Sequence, residues 1–367
     1  MRVLILTASV GEGHDLPART LAAQIRDESP TTEVIVEDGL EPMGRLVQAI
    51  SADAGRIVFF RFQWVWDLGF WFFAQAPPTR RLSQALLTRL GEKGLMELVE
   101  NVRPDVIVST YPNTTEVLGR LRRRGRLDLP VCAAITDLAA LDYWAAPGVD
   151  VHLITHPESI DEVHRVAGPD ARVSCVHGLT APEYRVPLDA MVARVRLDLP
   201  PEGKVILVSG GGWGVGDIGG AVDTALRIPE VSQIVCLCGR NDSLRAAMAS
   251  RFRTTDRVRI EGFTDRMHEW MAAADVLVHS TGGLTVLEAL MRGLPAISYG
   301  WGRGHVRVNN AAYRRFALAQ VAATRDELLP AIHTALDRGR TSADGFQSLP
   351  SAASVVLAAA GLATSDP

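Results

Sequence analysis

The sequence predicts an α/β protein built from two Rossmann-like domains, each a parallel sheet wrapped by helices. Short apolar runs alternate with amphipathic stretches of helix length along the chain, the pattern of βα units. A length of 367 residues is more than one core usually serves. Each half also opens with a strand that runs directly into a glycine turn. In the first half, strands are expected near residues 3–7, 33–37, 106–109, 131–135, 151–155 and 172–176. In the second they are expected near 205–209, 233–238, 258–261, 276–279 and 296–299. Open sheets of this kind take ligands at the carboxyl ends of their strands, so a cleft between the two sheets is the expected site.

The boundaries follow from punctuation. Residues 1–185 form the first domain and 204–340 the second, with 186–203 as the linker, closed by Leu199-Pro200-Pro201-Glu202-Gly203. The tail 341–367 is rich in Ser and Ala, and its stretch 352–362 reads as a small apolar helix able to pack on either domain.

Composition narrows the function classes. With 47% hydrophobic and 22% charged residues the chain is globular. A formal net charge of −4 argues against a nucleic-acid partner. Cys132, Cys175, Cys236 and Cys238 lack metal-ligand spacing and read as buried reduced thiols, which fits a cytoplasmic location. The N-terminus reads as a first strand, too short for a signal peptide, and no run of 18 apolar residues marks a membrane span. The segment 57–73 is crowded with aromatic residues but interrupted by Arg61, Gln63 and Asp67. It reads either as a buried helical hairpin or as an element lying at a membrane interface. Arg80-Arg81 and the arginines of 120–126 would then meet anionic headgroups on the inner face of the cell membrane, or else form a solvated helix end.

Three glycine turns carry the chemistry. The strand 276–279 leads into Ser280-Thr281-Gly282-Gly283-Leu284-Thr285 and then a helix bearing Glu288. Backbone N–H groups at such a helix start suit phosphate, and a carboxylate further along can accept two hydrogen bonds from a ribose diol. A turn that uses glycine for packing alone is the plain alternative. The second half opens with Ser209-Gly210-Gly211-Gly212, where the backbone can approach a phosphate closely, and Arg240 closes a neighbouring strand. Backbone groups of the turn at Gly262-Phe263 can read a base. The first half opens with Ser9-Val10-Gly11-Glu12-Gly13-His14. Glu12 would repel a pyrophosphate, so an acceptor pocket fits better. His14 stands at the positive end of a helix dipole, which disfavours imidazolium; it is either a general base for a hydroxyl or a structural cap of the turn.

These residues resemble the GT-B glycosyltransferases related to monogalactosyldiacylglycerol synthases and processive diacylglycerol glucosyltransferases, a family 28-like group. The likeness runs from the Ser9–His14 turn through Pro104-Asp105-Val106 and Thr136-Asp137 to the second domain. There it rests on Gly262-Phe263, Trp270-Met271, Thr281-Gly282-Gly283-Leu284-Thr285, Glu288-Ala289 and Gly293-Leu294-Pro295. The resemblance implies a nucleotide-sugar donor, a UDP-sugar in most relatives, held by the second domain without a separate cofactor. Phe263 would then meet the base, Gly282 to Thr285 the diphosphate with help from Gly210–Gly212 and Arg240, and Glu288 the ribose. His14 would be the general base, with Asp137 as second choice or as its orienter.

The departures are specific. Glu12 stands where relatives carry glycine, and Arg303-Gly304-His305-Val306 replaces the usual acid–amide pair at the sugar, which leaves His305 for that role. The histidine that follows Thr136-Asp137 in relatives is missing; Tyr143-Trp144 come instead. Retaining relatives carry a glutamate where Ser280 stands, so inversion is expected, without a metal. The expected acceptor is a lipid hydroxyl such as that of diacylglycerol. Alternatives are a soluble natural product or metabolite as acceptor, a UDP-sugar 2-epimerase, and a non-catalytic nucleotide binder.

Overall fold

In the computed structural model the described residues are 1–8, 12–48, 68, 69, 71, 76–138, 141–280, 282–300, 302, 305–346 and 348–363. The chain divides into two units, residues 1–182 with 303–305 and 348–367, and residues 183–302 with 306–347.

The first unit holds β1 (Arg2–Thr7), β2 (Glu33–Asp38), β3 (Val106–Ser109), β4 (Val131–Ile135), β5 (Val151–Ile154) and β6 (Arg172–Cys175), in the order β2-β1-β3-β4-β5-β6. Every pairing is parallel. β3, β4 and β5 are buried at every position. Helices on both faces explain this, and it is why those strands read as unbroken apolar runs. The chain leaves β1 on one side for β2 and returns on the other for β3. The carboxyl ends of β1 and β3 are therefore the switch point, where such sheets bind ligands.

The second unit repeats the plan. β7 (Lys204–Ser209), β8 (Val231–Leu237), β9 (Val258–Glu261), β10 (Val276–His279), β11 (Ala296–Tyr299) and β12 (Gln320–Ala322) are ordered β12-β11-β10-β7-β8-β9, all parallel. Its switch point lies between β7 and β10. The two sheets match the expected fold class, and eleven of the expected strands are present. β12 was not expected, since its three residues carry no apolar run of their own.

Residues 186–203 include a helix, Ala190–Arg196, capped by Asp189 and tied to the second unit through Arg194. The apolar tail helix Ala352–Ala363 packs on the helix Glu12–Glu28 of the first unit. The backbone of Ala352 donates to His177, and that of Ala353 to Gln24. The 26-residue helix Pro77–Val102 passes so close to the turn at 42–43 that a Cβ on Gly94 would meet the Pro42 carbonyl. Among the described residues no helix is long and apolar enough to cross a membrane.

Most of segment 57–73 lies outside the described residues; of its members only 68, 69 and 71 are described, and Leu68 and Trp71 are exposed. Four of the arginines of 120–126 form ion pairs within the unit. Arg120 pairs with Glu116, Arg122 with Asp150 at 2.7 Å, and Arg126 with Glu92 at 3.1 Å.

Candidate functional site

In the second unit, the loops at the switch point are the two that the sequence singles out. β7 ends at Ser209, and the chain makes one tight turn, Gly211–Trp213. That loop rests on Gly239: the Arg240 N–H donates to the Gly212 carbonyl at 2.8 Å. A Cβ on Gly239, which has φ +60°, would lie 2.4 Å from the Gly211 oxygen. Glycine is needed there for both space and backbone angle. The Ser280 N–H, just past β10, donates to Ser209 at 3.3 Å, so the two loops are knitted across the switch point.

The helix Gly283–Met291 follows β10, with Gly282 at its N-cap and no side chain capping it. Leu284 and Thr285 lie in its first turn, where N–H groups point along the axis. Thr281 lies outside the described residues. Glu288 is one turn further on and 9% exposed. Burial pushes its carboxyl up to about 8, while the Tyr184 hydroxyl works in the other direction. The sequence reading treats Glu288 as ionised. In the structure burial disfavours that charged form.

Further out along the sheet, β8 and β9 bring Arg240 and Phe263 together. The Arg240 guanidinium stacks on the Phe263 ring, 3.7 Å from its centroid, and the ring is 51% exposed. Arg240 therefore sits both beside the glycine loop, through its backbone, and on the aromatic ring, through its side chain. Of His305, the structure describes only its place at the start of the helix His305–Phe316; its side chain and residues 303 and 304 lie outside the described residues.

In the first unit, His14 sits in the first turn of the helix Glu12–Glu28, at the switch point between β1 and β3. The turn leading into it, residues 9–11, lies outside the described residues, as does the side chain of Glu12. His14 Nδ1 is 3.1 Å from the Thr110 carbonyl, just past β3, and the Thr110 hydroxyl donates to the His14 carbonyl at 3.2 Å. A carbonyl can only accept, so Nδ1 carries the proton and the basic lone pair of the neutral ring is on Nε2. Tyr111 meets the imidazole edge-on at 4.9 Å, and Trp144 lies tilted against it at 5.4 Å. The Thr136 hydroxyl donates to the Gly13 carbonyl at 3.4 Å, which brings the end of β4 to the same turn and sets half-buried Asp137 beside it.

Sequence reasoning missed His156. Two residues past the Ile135–Ile154 pair of β4 and β5, it occupies the register position of Asp137. It is buried, and burial pushes its imidazole down to about 4, with the Asp137 carboxylate opposing that shift. A histidine just beyond a buried strand was the available signal. Among the described residues no group of three His, Cys, Asp or Glu side chains is placed to hold a metal ion.

Known proteins share this fold. Residues 14–179 match the family described as monogalactosyldiacylglycerol (MGDG) synthase, and residues 205–348 match the glycosyltransferase family 28 C-terminal domain. The processive diacylglycerol beta-glucosyltransferase of Staphylococcus carnosus is 25% identical, over 90% of this chain and 83% of that protein. Among solved structures, MurG of Acinetobacter baumannii superposes with a TM-score of 0.60 at 13% identity, covering 100% of this chain and 99% of that one. A UDP-glucosyltransferase from Polygonum tinctorium superposes with a TM-score of 0.62 at 12% identity, covering 100% and 99%. The two matched families lie end to end over most of the chain, the fold is GT-B, and the protein belongs to the glycosyltransferases of the MGDG synthase and family 28 group.

Proposed function

We propose that the chain transfers a hexose from a UDP-sugar to the hydroxyl of a diacylglycerol-type lipid, with inversion at the anomeric carbon and without a metal. The observation that carries this reading is the donor cradle: two glycine loops joined across the β7–β10 switch point, with Glu288 one turn inside the helix they open. The helix N-terminus faces the diphosphate and stabilises its charge as the bond to the sugar breaks. The acceptor oxygen gives its proton to His14 Nε2 and bonds to C1, and UDP departs with the electron pair of the broken C1–O bond. Ser280 supports inversion: its hydroxyl donates to the Tyr299 carbonyl at 3.1 Å, and no carboxylate stands at that position to form a covalent intermediate.

The test is calorimetric titration of the wild type and Glu288→Ala with UDP, GDP and dTDP. UDP is expected to bind selectively, with the variant weakened by about 1–3 kcal/mol as two hydrogen bonds to the carboxylate are lost. Absence of binding by all three nucleotides would overturn the donor assignment.

The lipid acceptor is supported by the diacylglycerol glucosyltransferase activity of the relatives and by one face of the helix Pro77–Val102. Leu82, Leu86 and Leu90 are 70%, 55% and 41% exposed on it, interleaved with exposed Arg81, Arg89 and Lys93. Apolar side chains among basic ones suit the interface of an anionic bilayer, where each cation contributes about 1 kcal/mol. The triple variant Leu82→Ser, Leu86→Ser, Leu90→Ser should lose about tenfold or more in partitioning to phosphatidylserine vesicles, from the apolar area no longer buried. It should keep its UDP affinity. Unchanged vesicle binding would favour a soluble acceptor.

A further inference from the structure

One buried polar group beside Glu288 has no role in the reaction as described so far. Tyr184 lies in the short turn Pro182–Arg185 and is 4% exposed. Two contacts hold its ring in place. His268 meets it edge-on at 6.3 Å, and the Arg292 guanidinium lies over it at 5.5 Å. The same guanidinium donates to the Glu183 carbonyl at 2.8 Å and the Val186 carbonyl at 2.6 Å, which clamps the turn on both sides of Tyr184. Arg292 is four residues after Glu288, so the clamp and the carboxylate lie on one face of the same helical segment. The Tyr184 hydroxyl is buried with no partner of good hydrogen-bond geometry, as is Arg292 Nε. A buried hydroxyl left in that state is costly unless another state of the site satisfies it.

We propose that Tyr184 is a positioning residue for the ribose carboxylate, its hydroxyl donating to one oxygen of ionised Glu288 and leaving the remaining lone pairs to the ribose diol. This rests on the reading that Glu288 binds ribose. An ionised carboxylate offers about four acceptor sites, enough for one phenol and two ribose hydroxyls; the protonated acid offers fewer and adds a donor. The charged form is otherwise disfavoured by burial, and the hydroxyl counteracts this. The titratable groups around the site are Tyr184 and Glu183 from the turn, Arg292 at the end of the helix, and His268 from the helix Met267–Ala273.

The consequence has a definite sign. If the ionised form binds the diol, UDP affinity rises with pH as Glu288 loses its proton near 8. Removing the hydroxyl moves that rise to higher pH. The experiment is UDP titration from pH 6 to 10 on the wild type, Tyr184→Phe, Glu288→Gln and the double variant, with 2′-deoxy-UDP as the control ligand. Phenylalanine keeps the ring between His268 and Arg292, and a thermal scan checks that the variant is folded. Tyr184→Phe is expected to bind UDP roughly tenfold more weakly at pH 7. It should shift the midpoint upward, lose less toward 2′-deoxy-UDP, and add almost nothing on top of Glu288→Gln. An unmoved midpoint, or a loss that adds fully to that of Glu288→Gln, overturns the positioning role and leaves Tyr184 as packing. If Tyr184→Phe proves too unstable to titrate, Arg292→Lys loosens the clamp and should move the midpoint the same way. No effect of Glu288→Gln on UDP would instead overturn the ribose reading itself.

Discussion

Replacing His14 by alanine is expected to lower turnover by about 10²–10⁴-fold, the usual worth of a positioned general base, while UDP affinity stays within about twofold of wild type. The geometry around His14 suits the proposed base. Thr110 holds Nδ1 as a donor, which leaves the basic nitrogen at Nε2, and Tyr111 and Trp144 fix the ring plane. The nucleotide contacts proposed above all come from the second unit, and His14 belongs to the first. His14→Gln makes the sharper test. Its amide can still donate to the Thr110 carbonyl, so the turn is preserved, but it cannot accept a proton from a hydroxyl at neutral pH. Turnover with a diacylglycerol acceptor and UDP affinity by calorimetry are the two measurements. Wild-type turnover in His14→Gln would remove His14 from the chemistry and move Asp137 into first place. A matching collapse of UDP affinity would mean that the histidine serves the donor.

Arg194→Ala should cost the second unit about 3 kcal/mol and lower its melting temperature by roughly 10 °C. Arg194 sits in the helix Ala190–Arg196 with 9% of its side chain exposed. Its Nε donates to the Ala273 carbonyl, Nη1 to those of Pro201 and Gly203, and Nη2 to Asp275 at 2.8 Å. Asp275 in turn accepts from the Val205 N–H at 2.8 Å, at the position where β7 and β10 begin to pair. Alanine would leave three carbonyls and a carboxylate short of a donor. The carboxylate keeps 25% of its surface in solvent, which holds the cost toward the lower end of the range for a broken buried pair. Thermal and urea unfolding of the two proteins would measure it. A loss below about 1 kcal/mol would show that water replaces the guanidinium without penalty.

Much of the proposed donor cradle is visible in the sequence because it is local. Ser280 to Glu288 contains its own strand end, turn, helix start and carboxylate within nine residues, and the glycines state where backbone must stay bare. Phe263 and Arg240 were each visible as residues after a strand, but their stacking was not, since it depends on β8 and β9 being neighbours. The partners of His14 were hidden for the same reason: Thr110 is 96 residues away. His156 and Tyr184 were overlooked because a single polar residue beside an apolar run gives no periodic signal.

The sequence by itself determined the strands, the glycine turns and the order of βα units, because these follow from side-chain periodicity and backbone sterics within a few residues. The tertiary structure alone decided strand order, and with it which turns meet at each switch point. It also decided that the tail helix packs on the first unit, that Arg120, Arg122, Arg124 and Arg126 pair internally, and that Glu288 is buried, which raises its pKa. Periodicity tells a residue which face is buried. Which group it will find there, and at what local dielectric, depends on segments up to hundreds of residues away.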